Sequence, residues 1–248
     1  MEPVFRTLEI AATTAVRATG TRLTYQGVEN IPATGGAVIA INHTGYLDFL
    51  PAALAVKKRR RRLRFMIKAE MQRVKVIDFL IRHSKTIPVD RRAGAGAYSV
   101  AVQRLREGEL VGVYPEATIS RSFELKEFKS GAARMALEAQ VPIVPLIVWG
   151  AHRIWTKDHP RNLGREKTPI TVAVGRALPP TGTAEDLMNE LRLEMTALLH
   201  GVQQSYDHPQ GAYWVPRRLG GSAPTMEEAR VREEAELAER ARKESENH

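Results

Sequence analysis

Gly36-Ala37-Val38-Ile39-Ala40-Ile41-Asn42-His43-Thr44-Gly45-Tyr46-Leu47-Asp48-Phe49-Leu50-Pro51-Ala52-Ala53-Leu54-Ala55-Val56 is the stretch from which the fold can be read. Its first six residues are an uninterrupted short apolar run, the pattern of a strand buried on both faces. Its last seven are Leu- and Ala-rich and read as a helix. His43 and Asp48 therefore stand where a strand ends and a helix begins, a common place for reactive groups in an α/β domain. Five residues of continuous helix would turn their side chains roughly 140° apart. The two can meet only if His43 lies in the loop and Asp48 on the first turn or two. A carboxylate bonded to one imidazole nitrogen fixes the tautomer and leaves the other nitrogen free as a base. The bland alternative for the same spacing is a surface pair that caps the helix.

Working outward, strands and helices alternate. Leu23–Val28 reads as a first strand and 30–36 as a turn; after the 50–56 helix, Arg64–Ile67 is a strand. A helix is expected from Lys68 to about His83, a short strand at Thr86–Val89, a flexible turn at Gly94-Ala95-Gly96 and a helix over Tyr98–Arg106. Glu109–Tyr114 is a strand stopped by Pro115-Glu116. Gly131–Gln140 reads as a helix, Ile143–Trp149 and Ile170–Val174 as strands, and Asp186–Gln204 as an amphipathic helix with Leu187, Leu191, Met195 and Leu198 facing the core. The pattern predicts one α/β domain, a mixed and largely central β-sheet flanked by helices, with active residues at strand ends. Residues 1–20 form an N-terminal amphipathic helix (Val4–Ala18) suited either to a membrane interface or to packing on the domain. The domain itself occupies 21–219. From Gly220 the composition shifts to a Gly/Pro linker and a charged stretch, so 220–248 reads as a solvated helical or disordered tail, a possible partner contact.

The chain has 248 residues, enough for one large core, and no cysteine. That excludes disulfides, thiolate metal sites and a cysteine nucleophile. Its longest apolar stretch, around Val141–Ala151, falls short of the roughly 20 residues a membrane-crossing helix needs, and no secretory signal is evident at the N-terminus. The formal charge is +9, concentrated in Lys57-Lys58-Arg59-Arg60-Arg61-Arg62-Leu63-Arg64. Such a block attracts polyanions. With no zinc ligands and no aromatic RNA-binding signature near it, an anionic membrane surface is the expected partner and nucleic acid is not. No group of His, Asp and Glu has metal-ligand spacing, so no metal is expected. His83, His152, His159 and His200 lack a carboxylate at matching spacing and are assigned to packing or to the surface.

Four blocks carry the chemistry: Asn42-His43-Thr44-Gly45-Tyr46-Leu47-Asp48; Lys68-Ala69-Glu70 with Ile87-Pro88-Val89-Asp90-Arg91; Val113-Tyr114-Pro115-Glu116-Ala117-Thr118-Ile119-Ser120-Arg121; and Val141-Pro142-Ile143-Val144-Pro145-Leu146. In this order and spacing, over roughly Gly27 to Arg176, the chain resembles the 1-acylglycerol-3-phosphate (lysophosphatidic acid) acyltransferase family of the glycerolipid acyltransferase superfamily. The resemblance implies that His43 is a general base oriented by Asp48. It also implies that Lys68, Arg91 and the third block, with Glu116 and Thr118, hold the acceptor. The implied reaction moves a fatty acyl group from acyl-CoA or acyl-carrier protein to the free hydroxyl of a lysophospholipid, at the cytoplasmic face of the cell membrane and without a cofactor. The residues agree: with no cysteine and no Gly-x-Ser-x-Gly elbow, direct attack of the acceptor hydroxyl is the simpler route. Amides near Gly45 or a basic side chain are the candidates for holding the oxyanion.

The third block departs from the family's usual Pro-Glu-Gly-Thr-Arg-Ser, with Ala117 for glycine and Ile119 for arginine. Isoleucine cannot pair with phosphate; Arg121, pointing the same way in an extended loop, is the substitute. Glu116, Thr118 and Ser120 either hold the acceptor's glycerol hydroxyls or tie down the loop, and a Pro-Glu turn capping the next helix is the structural alternative for Glu116. The departure keeps open a different acceptor, such as glycerol 3-phosphate or a glycolipid. A non-catalytic protein that binds anionic membranes or other polyanions through the basic block is the rival of another class.

Overall fold

A computed structural model describes residues 7, 10, 13, 14, 16, 18–68, 86–89, 94–164 and 166–246. Seven strands, β1 (Arg22–Gln26), β2 (Ala37–Ile41), β3 (Leu63–Lys68), β4 (Ile87–Val89), β5 (Leu110–Val113), β6 (Ile143–Trp149) and β7 (Pro169–Val174), form one sheet in the order β1-β7-β6-β2-β5-β3-β4. Neighbours are parallel except β6 and β7, which are antiparallel. The sheet is therefore mixed, as the sequence predicts. The helices are α1 (Phe49–Lys58), α2 (Gly94–Arg106), α3 (Gly131–Ala139), α4 (Ala184–Gln204) and α5 (Met226–Glu246).

The run 37–41 is central and buried throughout. Alternate residues serve opposite faces: Ala37, Ile39 and Ile41 pack with Ala52, Ala55 and Val56 of α1, while Val38 and Ala40 join a second core with side chains of α2, α3 and α4. An apolar residue at every position is what a strand covered on both faces requires. Leu187, Leu191 and Met195 of α4 are buried in that second core, with Leu198 packed against it.

Two stretches differ from expectation. Gly94-Ala95-Gly96 is the first turn of α2 instead of a flexible turn. Gly220–Pro224 is not a free linker: Ala223 is fully buried in the α2–α4 core, and the amides of Ser222 and Ala223 donate to Ala212 and Val215. A β-carbon at Gly221 would lie 1.9 Å from the Val215 carbonyl oxygen, so the glycine there permits close packing. The tail beyond it is the helix α5. The residues described between 7 and 18 are helical; the helix expected at 68–83 falls, beyond Lys68, outside the described residues.

The basic block lies between α1 and β3, at the N-terminal edge of the parallel strands. His43 is at their C-terminal edge, roughly 15–20 Å away for strands of this length. Much of the block serves the fold. Arg61 donates to the carbonyls of Pro32, Gly35 and Gly108, Arg59 to that of Ile31, and Arg64 pairs with Glu109. A cavity of about 460 Å³, lined by Lys57, Arg60, Arg61, Arg62 and Arg64, opens at this far edge. Among the described residues no helix is long and apolar enough to cross a membrane.

Candidate active site

The loop after β2 leads to α1 on one face of the sheet, and the loop after β5 leads to α3 on the other. They part above adjacent strands, where open α/β sheets leave a crevice. Asn42 fixes the end of β2: its side-chain amide donates to the Val148 carbonyl (3.1 Å) and accepts from the Val148 amide (2.7 Å), continuing the β2–β6 pairing with a side chain. His43 follows. Its Nδ1 lies 3.1 Å from Asp48 Oδ2, and the same oxygen accepts the amides of Thr44 (2.7 Å) and Gly45 (2.8 Å).

Asp48 occupies the N-cap position of α1, yet its side chain makes no capping bond. It turns back to the loop instead, which removes the bland reading of the pair. The carboxylate is fully buried, while the imidazole is 19% exposed. Burial raises the Asp48 pKa above its ordinary value, opposed by the His43 ring and the Gly45 and Thr44 amides. Three bonds on Oδ2 direct Nδ1–H of His43 to Asp48 and leave Nε2 as the lone-pair nitrogen. Tyr114, at the end of β5, stacks on the imidazole with centroids 4.0 Å apart.

The loop is held from several sides. Tyr46 N–H donates to the Trp155 carbonyl, Thr156 Oγ1 to the Thr44 carbonyl, and a β-carbon on Gly45 would sit 2.9 Å from both His152 Cα and the Trp155 oxygen. The amides of Thr44, Gly45 and Tyr46 are thus all engaged, so the loop amides near Gly45 expected to hold an oxyanion are already committed within the protein.

Glu116 is also buried. Its two carboxylate oxygens accept the backbone amides of His43 (2.8 Å) and Lys126 (3.0 Å), and Ser120 N–H donates to the His43 carbonyl (2.7 Å). In this arrangement Glu116 ties the third block to His43, the loop-fastening alternative of the sequence reading. Burial pushes its carboxyl up to about 7, against those two amides and the Lys126 charge. Ala117, where the pattern has glycine, has φ +61°, the left-handed conformation that explains glycine there. Ile119 is buried.

Arg121 is paired with Asp158 (2.5 Å) and Glu236 (2.7 Å). Thr118 bonds Glu233, and Lys126 bridges Thr118 and Glu233. Lys68 ends β3, its side chain outside the description; Arg91 lies outside the described residues. The structure thus brings His43, Asp48 and Glu116 into one bonded unit with Thr118 and Arg121 on the adjoining loop. Sequence reasoning missed Tyr114, Lys126, Lys157 and the α5 glutamates; only Tyr114, inside the third block, carried a local signal. His152 is buried against Trp149, Phe123 and Trp214, and burial, then Arg153, pushes it down to about 3, the packing role expected. Among the described residues no three His, Asp or Glu side chains gather as metal ligands.

The fold is a mixed α/β sheet that carries a buried carboxylate bonded to an imidazole at the end of its central strand. Residues 22–149 match the family model described as Acyltransferase, more than half of the chain, and the chain belongs to that family. It is 32% identical over 123 residues to a 1-acyl-sn-glycerol-3-phosphate acyltransferase of Bacillus subtilis (strain 168), covering 49% of this chain and 60% of that one. It is 34% identical over 140 residues to a probable enzyme of the same name from Mycoplasma pneumoniae, covering 53% of this chain and 51% of that one. The chain thus spans about half to three fifths of these relatives' lengths. The crystal structure of a 1-acyl-sn-glycerophosphate acyltransferase from Thermotoga maritima superposes with a TM-score of 0.67 at 19% identity, covering 82% of this chain and 81% of that one. That likeness concerns the fold.

Proposed function

We propose that this protein transfers a fatty acyl group from a thioester donor, acyl-CoA or acyl-carrier protein, to the free hydroxyl of 1-acylglycerol 3-phosphate. The observation that carries the reading is the His43–Asp48 pair, bonded at 3.1 Å at the end of β2. Nε2 of His43 takes the hydroxyl proton as the oxygen attacks the thioester carbonyl. Asp48 steadies the imidazolium, and the thiolate leaves with that proton as the tetrahedral intermediate collapses. The relatives in Bacillus and Mycoplasma, named for 1-acyl-sn-glycerol-3-phosphate, support this acceptor. Arg121, with Lys68 and Arg91 by family likeness, serves its phosphate. Glu116 acts by positioning, because it fastens the loop that presents His43.

The substrate reaches the site from an anionic membrane surface on which the protein sits without spanning it. Tyr46 and Phe49, beside the His43 loop, are 42% and 44% exposed and suit an interface where rings meet headgroups. The basic block, for which an anionic membrane was the expected partner, lies at the opposite edge of the sheet from these rings. Buried Ile119, where the pattern has arginine, supports a second reading with the same chemistry on another acceptor, such as glycerol 3-phosphate or a glycolipid. Competition between lysophosphatidic acid and glycerol 3-phosphate for labelled palmitoyl-CoA tests both. Product from lysophosphatidic acid is expected; exclusive acylation of glycerol 3-phosphate would transfer the assignment to it, and no acylated product from any acceptor would end the proposal.

A further inference from the structure

The cations beside His43 are occupied by the protein's own acids. Glu233 and Glu236 of α5 lie three residues apart on one helix face. Glu233 binds Lys126 and Thr118; Glu236 binds Arg121 (2.7 Å) and Lys157 (3.0 Å). The contacts to Thr118, Arg121 and Lys126 are long-range, joining a segment more than a hundred residues away in sequence to the third block and the turn after it. Lys157, Glu233 and Glu236 lie beyond residues 22–149, the part matched by the family model.

How α5 is held matters as much as where. None of its described side chains is buried. Ala229, Glu233 and Glu236 are partly covered, while Val231 and Leu237 point outward, 53% and 55% exposed. Its anchors are ion pairs and polar contacts, such as Ser122 with Met226. The paired side chains are mostly covered, 9–25% exposed, but a helix attached by charge can be exchanged for another anion on the same cations, whereas one attached by apolar burial cannot.

The charges also match a ligand. With α5 in place, Arg121, Lys126 and Lys157 face Asp158, Glu233 and Glu236, and the cluster is neutral. With α5 lifted, Asp158 is the acid still paired to the cluster and the buried carboxyl of Glu116, pushed up to about 7, is the other within reach of Lys126, so the cluster carries between one and two uncompensated positive charges, next to the Thr118 hydroxyl as a further donor. A phosphate monoester brings close to two negative charges and several strong acceptor oxygens.

We propose that α5 is a built-in competitor: Glu233 and Glu236 occupy the Arg121–Lys126–Lys157 cluster in place of a phosphate monoester and must leave when one binds. Resting on the acyl-acceptor reading above, this assigns Lys126 and Lys157 to phosphate recognition and makes the tail a releasable strap over the site. Ligand and strap share one set of cations, so whatever strengthens one weakens the other by the same factor.

The test uses the full chain and has two arms. In the first, hydrogen exchange of 226–246 is followed with and without saturating glycerol 3-phosphate or inorganic phosphate, with sodium chloride at equal ionic strength as control. Exchange is expected to quicken about 3- to 10-fold with either phosphate and not with chloride, the scale of breaking one or two such pairs. In the second, Glu233→Gln/Glu236→Gln is expected to lower KM for the phosphorylated acceptor about 3- to 10-fold with kcat within about twofold, as removal of a competing closed state requires. Unchanged exchange in α5 under either phosphate would overturn the proposal, as would an unchanged or raised KM in the variant. The first arm reads competition without any turnover, so it decides on α5 even if no acyl transfer is found.

Discussion

Two regions meet at His43 and are built in opposite ways. The loop 42–48 is held by short bonds between buried groups: Asn42 to Val148, Asp48 to three donors, Glu116 to the His43 amide. The strap α5, on the other side of the third block, is held by partly exposed ion pairs and buries none of its described side chains. Buried bonds fix a geometry because leaving any of them unmade costs the full desolvation of the group. Ion pairs that water still reaches, as those of α5 do, can be remade with solvent or another anion when they part, at lower cost than a fully buried bond. On the proposed reading a base has to be rigid and a ligand site has to open, and the two modes of attachment suit those two demands.

The largest effect expected from breaking the rigid side is at Asp48. Asp48→Asn keeps an oxygen that can accept all three bonds but removes the charge that steadies the imidazolium. We expect kcat to fall by about 10²-fold or more, with unfolding free energy changed by less than about 1 kcal/mol, read by turnover and urea titration. Equal losses in both would instead make Asp48 a purely structural acceptor.

Next in size is Glu116. Its carboxyl titrates near 4.5 when unperturbed and is pushed up to about 7 in the fold. The folded state therefore holds the proton more tightly. This contribution is fully present below pH 4.5, declines between the two values and is gone once pH passes through about 7. On the order of 3 kcal/mol is at stake. Denaturant unfolding between pH 5 and 8 is expected to show this fall in wild type and to lack it in Glu116→Gln. Parallel pH profiles would remove Glu116 from the account.

Salt separates the two regions directly. Between about 0.1 M and 1 M the screening length shrinks from about 10 Å to about 3 Å. Hydrogen exchange in α5 is expected to quicken, while the amides of Thr44 and Gly45 keep their protection. Equal responses would erase the contrast. The smallest effect is at Ala117: at φ +61°, Ala117→Gly relieves backbone strain and is expected to stabilise the fold by about 1 kcal/mol, seen as a higher urea midpoint.

The rigid region was legible in the sequence because its determinants are local. An apolar run, a loop too short to be helix and a carboxylate five residues from a histidine define it without long-range information. Glu116 was legible as a member of the third block, but its task was not: the partner amides belong to His43 and Lys126, and nothing in the spacing says which backbone a side chain will meet. The strap was hidden because ion pairs between Glu233 and Lys126 or Glu236 and Arg121 leave no periodic trace, and the composition of α5 resembles any solvated helix. Gly220–Pro224 misled for a related reason: glycine and proline mark a linker by composition, but a glycine also lets two backbones touch, as Gly221 and Val215 do. The basic block read as a free surface although Arg59 and Arg61 are spent on carbonyls brought to it by the fold.

The central claim is that His43, aligned by Asp48, is the base of an acyl transfer. Its most direct measurement is the rate of acylated product formed from labelled palmitoyl-CoA and lysophosphatidic acid by wild type and by His43→Ala, each first checked for equal urea stability. Product is expected from the wild type, with a loss of about 10²–10⁴-fold in the variant. Equal rates in the two proteins would contradict the claim.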